Sequence, residues 1–328
     1  MKWRTMKELT VGSNDAGQRL DRFLSKAVPL LPESLLQKYI RLKRIKCNGK
    51  AVKRDYRLCA GDLLTLYVND EFFEKPRENN AWLKVGSPKL NIVYEDTNLL
   101  LVDKKPGILC HSDGTWDYHT LIANIQAYLA IKGEWRPKEE NSFTPALCNR
   151  IDRNTGGIVI AAKNAETLRV INQKIKDREI EKFYLCAVIG KPRPESGMLE
   201  NELFKDAVKN TVYVKNRPEP GSRSAKTEYR VLQSRNNLSL VECRLLTGRT
   251  HQIRVQMAYA GWPLLGDGKY GREDINRRYH EHGQALYSWR LVFEFQTPAE
   301  HLEYLRGNEF RIDPQKIDFC TNYFDTFL

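Results

Sequence analysis

Residues 149–162 read Asn149-Arg150-Ile151-Asp152-Arg153-Asn154-Thr155-Gly156-Gly157-Ile158-Val159-Ile160-Ala161-Ala162, a lone carboxylate between two arginines just ahead of an apolar run. The run from 157 to 162 predicts a strand, so Asp152 lies on a loop that enters it. Loops carried by a rigid sheet are where reactive groups tend to sit. Gly156 and Gly157 let another backbone or a planar ligand approach closely. A surface ion pair in a turn is the competing reading of such a string. The surrounding sequence decides between the two.

Working outward, Asn164 caps a predicted helix in which Leu168, Ile171 and Ile175 recur at i, i+3 and i+7, and a strand over 183–189 follows. Upstream, 92–96 and 99–103 read as successive strands, the second broken by the basic turn Lys104-Lys105-Pro106-Gly107. Strand-rich stretches with interspersed helices and few regular βαβ repeats predict an α+β domain on a mixed, largely antiparallel sheet.

The 328 residues suffice for this large domain plus a small one. The longest apolar runs fall far short of the ~20 residues that span a bilayer. No apolar signal core follows Met1-Lys2-Trp3-Arg4-Thr5, so a soluble, cytoplasmic chain with no membrane partner is expected. Seven cysteines, odd in number and without a CxxC pair, argue for reduced thiols over zinc or disulfides. The balance of 53 Lys+Arg against 41 Asp+Glu, a net +12, favours an anionic partner such as nucleic acid.

That charge is clustered near the front. Leu20, Phe23, Leu24 and Ala27 keep helical spacing, with Asp15 as expected N-cap. Ser34-Leu35-Leu36-Gln37 has capping-box spacing for a second helix, whose Leu36, Tyr39 and Ile40 face a core while Lys38, Arg41 and Arg44 line another side. Asn48-Gly49 predicts a hairpin within 45–52, and Gly61-Asp62 precedes a strand over 63–68. From Lys38 to Arg57 there are nine basic residues and one acid, Asp55. The arrangement resembles the small alpha-L RNA-binding module first seen in a small-subunit ribosomal protein. Its implied RNA contacts are Lys38, Arg41, Lys43, Arg44, Lys46 and Lys50. The expected division is a module over 1–75, a linker over 76–89 and a catalytic domain over 90–328.

A second constellation, Gly248-Arg249-Thr250-His251-Gln252-Ile253-Arg254, follows a predicted strand and opens a helix, with Thr250 as expected N-cap and Gly261-Trp262-Pro263 as its stop. Arg254, one turn from His251, is placed to reach Asp152 and hold it ionised, since a nearby opposite charge lowers a carboxylate's pKa. A phosphate contact is the other reading of Arg254. Gly266-Asp267-Gly268-Lys269-Tyr270-Gly271 matches GxGxxG but lacks a preceding strand and a packed helix after it, so a dinucleotide site is rejected. His280-Glu281-His282 reads as a solvated loop.

Taken together, residues 95–107, 150–157, Lys182-Phe183-Tyr184 and 248–254 resemble the RluA-type pseudouridine synthases in motif and order, over about 91–295. The resemblance implies Asp152 as the catalytic aspartate, Tyr184 as the tyrosine against which uracil packs, and Arg254 as the aspartate's partner. It implies Leu264 on the other wall of the base pocket, with Lys105, Arg150, Arg153, Thr155, Gly156, Arg249 and His251 around the substrate. Asn149, Asn154, Gly156 and Gln256 replace a frequent His, Asp, Ser and His of the family, which bears on RNA contacts and substrate choice. Large-subunit ribosomal RNA is the implied first substrate and transfer RNA the second, for an enzyme expected to be a monomer.

Isomerising uridine to pseudouridine moves uracil from a nitrogen to a carbon linkage without net oxidation, so no cofactor or metal is expected. The carboxylate either attacks the ribose or removes a proton to give a glycal-like species. A target inside a helix must be flipped out and stacked, the expected task of Tyr184, which is also a candidate acceptor for the proton lost from carbon five. A silent RNA-binding factor and an N-glycosidase-type hydrolase are the rivals. The second is disfavoured because no motif brings a second carboxylate beside Asp152.

Overall fold

The computed structural model describes residues 6–73, 81–113, 118–137, 140–281 and 283–325. At the front, β1 (Met6–Thr10), α1 (Leu20–Ala27), α2 (Glu33–Arg41), β2 (Ile45–Cys47), β3 (Lys50–Ala51) and β4 (Leu63–Tyr67) build one unit. Its antiparallel sheet runs β1-β4-β2-β3. Asn48 and Gly49 both take positive φ, 50° and 76°, as a two-residue hairpin of this hand requires. Leu20, Phe23 and Leu24 of α1 and Leu36, Tyr39 and Ile40 of α2 close over Ile45, Leu64 and Leu66.

Two expected caps are otherwise employed. Asp15 ends a 3-10 turn instead of capping α1, and its buried carboxylate accepts from Ser142 Oγ at 2.6 Å and Asn141 N at 3.3 Å. Ser34 lies inside α2, which starts after an extended Pro32 without a side-chain cap. The Asp15 contact fastens the module to the larger domain, helped by Asn14 on Glu140 (2.5 Å) and Gln18 on Ser142 (2.9 Å).

The larger domain adds β5 (Ile92–Glu95), β6 (Leu99–Lys104), α3 (Leu121–Ile131), β7 (Ala146–Leu147), β8 (Gly156–Ala162), α4 (Ala165–Lys176) and β9 (Glu181–Ile189). β10 (Ser196–Asp206), β11 (Thr211–Lys215), β12 (Ser222–Arg235), β13 (Leu238–Leu245), α5 (Gln252–Tyr259) and α6 (Glu273–Arg278) follow. β14 (Leu286–Val292), β15 (Glu309–Arg311) and α7 (Asp318–Tyr323) end the chain. The sheet order is β11-β10-β12-β13-β9-β14-β8-β6-β5, with β7 on β8 and β15 on β14. All pairs are antiparallel except β8 with β14, so the domain is α+β on a mixed, largely antiparallel sheet. At that parallel contact Gly157 has φ +115°, and a Cβ there would lie 2.2 Å from Ser288 O.

Alternation along the strands divides the core. Leu99, Leu101, Ile158 and Ile160 join α4 and the tail residues Phe319, Cys320 and Phe324 on one face. Leu100, Val102, Val159 and Ala161 meet α3 on the other. Tyr184, Cys186, Val241 and Cys243 meet Ile253 and Met257 of α5 in a third cluster. Ile151 touches both the α3 and α5 clusters, so the loop bearing Asp152 sits at their seam.

Two further expectations are revised. Within the expected linker, residues 76–80 lie outside the described residues, but Ala81–Lys84 form a turn whose Trp82 packs edge-on against Trp135 at 5.3 Å. An apolar indole outcompetes the polar, breaker-rich composition around it. After the rejected GxGxxG stretch a short helix, α6, does pack, because Asn276 turns inward and accepts the N–H of Gly266 at 2.8 Å. His282 lies outside the described residues, and Glu281 accepts from Tyr323 at 2.6 Å. The seven cysteines are free thiols, and among the described residues no helix is long and apolar enough to cross a membrane.

Candidate active site

Asp152 belongs to a loop tied at several points. Asn149 Oδ1 accepts the N–H of Ile160 at 2.8 Å, and Thr155 N–H donates to Asp152 O at 3.1 Å. Beneath it Lys104, 1% exposed, donates to the carbonyls of Lys105 (3.1 Å), Ile108 (2.9 Å) and Arg153 (2.9 Å). Burial pushes this ammonium down to about 8, while its three acceptors use all three protons.

The arginine pairing read from the sequence is present. Arg254 Nη1 lies 2.9 Å from Asp152 Oδ2, across 102 residues of chain. Its other edge forks onto Asp267, with Nε on Oδ2 at 2.7 Å and Nη2 on Oδ1 at 2.9 Å. Burial opposes charge on both partners, yet the paired contacts outweigh it, raising the guanidinium's pKa and lowering that of Asp267. Backbone N–H groups of Lys269 (2.8 Å) and Tyr270 (3.1 Å) complete the cradle around Asp267. Sequence reading missed Asp267, although its signal lay in the glycine-rich stretch: a Cβ on Gly271 would stand 2.2 Å from Asp267 O, so glycine permits the wrap.

Thr250 is not the cap of α5. His251 precedes the helix in the left-handed region, φ +53°, with no side-chain cap, and Gln252 Oε1 accepts the N–H of Arg249 at 3.0 Å. His251 Nε2 stands 3.8 Å from Asp152 Oδ2. Tyr184, on β9 opposite Ser288 of β14, is 6% exposed and clusters with Leu264 and Ile253. Burial pushes its phenol up to about 12. A neutral phenol is suited to stacking on a base.

Asp152, Tyr184, Arg254, Arg150, Arg249 and His251 border one cavity of about 740 Å³. Lys182 borders it too, its ammonium pKa lowered by burial and, among the described residues, without an ion pair. Of the other expected contacts, Lys105, Arg153 and Leu264 do not border it. Lys105 pairs with Asp103 at 3.6 Å, and Arg153 Nε donates to Gly107 O at 3.1 Å. Leu264 is fully buried behind the surface, and Thr155 reaches the wall with its hydroxyl accepting from Gln284 at 3.0 Å.

Three departures from the family pattern turn out to be structural. A Cβ on Gly156 would stand 2.3 Å from the Tyr287 ring. Gln256 is fully buried, donating to Leu199 O and Asn201 Oδ1 and accepting from Thr227. Asn149 fastens its loop as described.

A carboxylate held by a buried Arg–Asp pair thus borders a cavity lined by arginines and a lysine, in a chain that also carries a small basic module. The RNA pseudouridylate synthase family matches residues 98–259 and the S4 domain matches residues 18–64. The chain belongs to the RNA pseudouridine synthase family, with an S4 domain in front, and is a pseudouridine synthase. It is 31% identical over 297 residues to the ribosomal large subunit pseudouridine synthase C of Vibrio parahaemolyticus, covering 87% of this chain and 86% of that protein. To the protein of the same name from Escherichia coli it is 28% identical over 283 residues, covering 86% and 85%. The solved structure of human RNA pseudouridylate synthase domain containing 4 shares the fold, with TM-score 0.52 at 21% identity over 68% of this chain and 88% of that one.

Proposed function

We propose that the chain converts uridines of large-subunit ribosomal RNA to pseudouridine, with transfer RNA as the alternative substrate, acting as a cytoplasmic monomer. Asp152 is the group that acts on the ribose, Arg254 pairs with it and orients it, and Tyr184 carries the extruded uracil on its ring face. Arg150, Arg249, His251 and Lys182 surround the nucleotide, while the exposed Lys38, Arg41, Lys43 and Lys50, with Arg44 and Lys46, meet phosphates. The division proposed is a module over 1–75, a join over 76–89 and a catalytic domain over 90–328, with the turn from Ala81 leaning on the latter.

The reading is carried by the 2.9 Å contact of Arg254 with Asp152 inside a cavity that Tyr184 also borders. The ribosomal substrate is supported by the names of the curated relatives. Asp152→Asn is expected to abolish product while RNA binding persists. The deciding measurement is chemical mapping of pseudouridine across total RNA from cells with and without the chain. Absence of any lost site in large-subunit RNA would refute the substrate, and a wild-type chain without product would favour a pure RNA binder.

A further inference from the structure

His251 aims Nε2 at Asp152 Oδ2, 3.8 Å away, and sets Nδ1 on the hydroxyl of Tyr270 at 2.8 Å. The same hydroxyl oxygen accepts the N–H of Val212 on β11, also at 2.8 Å. A backbone N–H only donates, so it occupies an oxygen lone pair and leaves the phenolic proton in need of an acceptor. Among the described residues, His251 Nδ1 is the other atom bonded to that oxygen, and it accepts the phenolic proton only when the ring proton is on Nε2. Burial raises the pKa of Tyr270, so the phenol keeps its proton, and burial lowers that of His251, so the ring is neutral. The single ring proton then sits on Nε2. The other tautomer would point a lone pair at the carboxylate and leave the phenolic proton without a protein acceptor among the described residues.

We propose that Tyr270 is a positioning residue that locks His251 as the Nε2–H tautomer. An N–H then faces Asp152 Oδ2 beside the Arg254 guanidinium, and Oδ1 is the oxygen left to act on the ribose. Both donors address Oδ2, and among the described residues Oδ1 has no hydrogen-bond partner. The 3.8 Å separation exceeds a hydrogen bond, and contacts of this kind shorten when substrate fills the site. His251 takes a left-handed φ of +53°, which most residues avoid, with Nδ1 on Tyr270 and Nε2 toward Asp152. Tyr270 is further fixed by its edge-on contact with His251 and by Arg254 over its face at 5.2 Å. The charged groups around His251 are Asp152, Asp267, Arg254 and Lys269.

The proposal rests on reading Asp152 as the group that acts on the ribose. Its test uses the full chain with ¹⁵N-labelled histidine, the His251 signals being assigned by their loss in His251→Gln. The wild type is expected to show an unprotonated Nδ1 and a protonated Nε2 near neutral pH. Tyr270→Phe removes the donor that favours the neutral ring, so His251 should mix tautomers and titrate at higher pH. Turnover at saturating RNA should fall about tenfold, the worth of one such hydrogen bond, with KM unchanged. His251→Gln, which keeps an N–H donor, should retain more turnover than His251→Ala. A protonated Nδ1 in the wild type overturns the proposal, as does a Tyr270→Phe variant with unaltered tautomer and turnover. If Tyr270→Phe fails to fold, the wild-type spectrum alone decides the tautomer. Full activity in Asp152→Asn would instead refute the reading of the site, leaving the tautomer result standing.

Discussion

Arg254 serves two carboxylates with different jobs, and Asp267 fixes where its charge points. Asp267→Asn preserves shape but leaves a buried guanidinium half compensated. A loss of about 3 kcal/mol in stability is expected, as for other broken buried pairs, together with a fall in single-turnover rate. Thermal melts and rapid-quench kinetics measure the two, and an unchanged rate would show that Asp152 does not need this buttress. At Tyr184 the proposed role is stacking, worth about 1–3 kcal/mol per base. Tyr184→Phe should therefore turn over nearly as wild type, while Tyr184→Leu loses roughly tenfold or more in kcat/KM. A Phe variant as damaged as Leu would make the hydroxyl the important part. Asp152, Tyr184 and Arg254 were legible because each lies in a motif of fixed order. Asp267 was not, because a glycine-rich turn tested only for a dinucleotide site conceals a carboxylate wrapped by its own backbone.

At the level of elements, the strands around Asp152 were readable from their apolar runs, those over 196–235 were not predicted, and most helix starts were not readable. Asp15, Ser34 and Thr250 look like caps, but capping is a local preference worth about 1 kcal/mol, and none of the three caps its helix. Asp15 goes to Ser142 of the other domain. Asn164 does cap α4, accepting Thr167 N–H at 2.8 Å. The far end of α4 is pinned by Lys174 and Glu179, 2.7 Å apart and both buried, with Thr297 satisfying each. Burial favours protonating Glu179, but these contacts hold it down to about 2 from 4.5. A depressed folded pKa means the contribution is whole above about 4.5 and lost as pH falls toward 2. Glu179→Gln should flatten that part of the acid unfolding curve and lower stability at neutral pH by about 3 kcal/mol. Parallel acid titrations followed by circular dichroism check it, and superimposable curves would mean the pair is neutral to folding.

Across the whole molecule, the module is fastened to the catalytic domain through Asp15, Asn14 and Gln18, so its basic helix face has a set bearing on the cavity. Lys38, Arg41, Lys43 and Lys50 stand clear of the module core, and among the described residues none is paired with a carboxylate. Neutralising them to Gln leaves the core of Leu20, Phe23, Leu36 and Leu64 untouched, so the fold should survive. Every phosphate that a side chain ceases to neutralise takes about 0.7–0.9 off the slope of log affinity against log salt. If all four meet phosphates, the slope becomes shallower by about three and KM for RNA rises at low salt. The rate at saturating RNA should not change, because the carboxylate, its arginine and the aromatic shelf all belong to the other domain. Filter binding over a salt series, run beside single-turnover rates, separates the two effects. An unchanged slope would move RNA recognition off this face, and a slower rate at saturation would mean that the module helps shape the cavity itself.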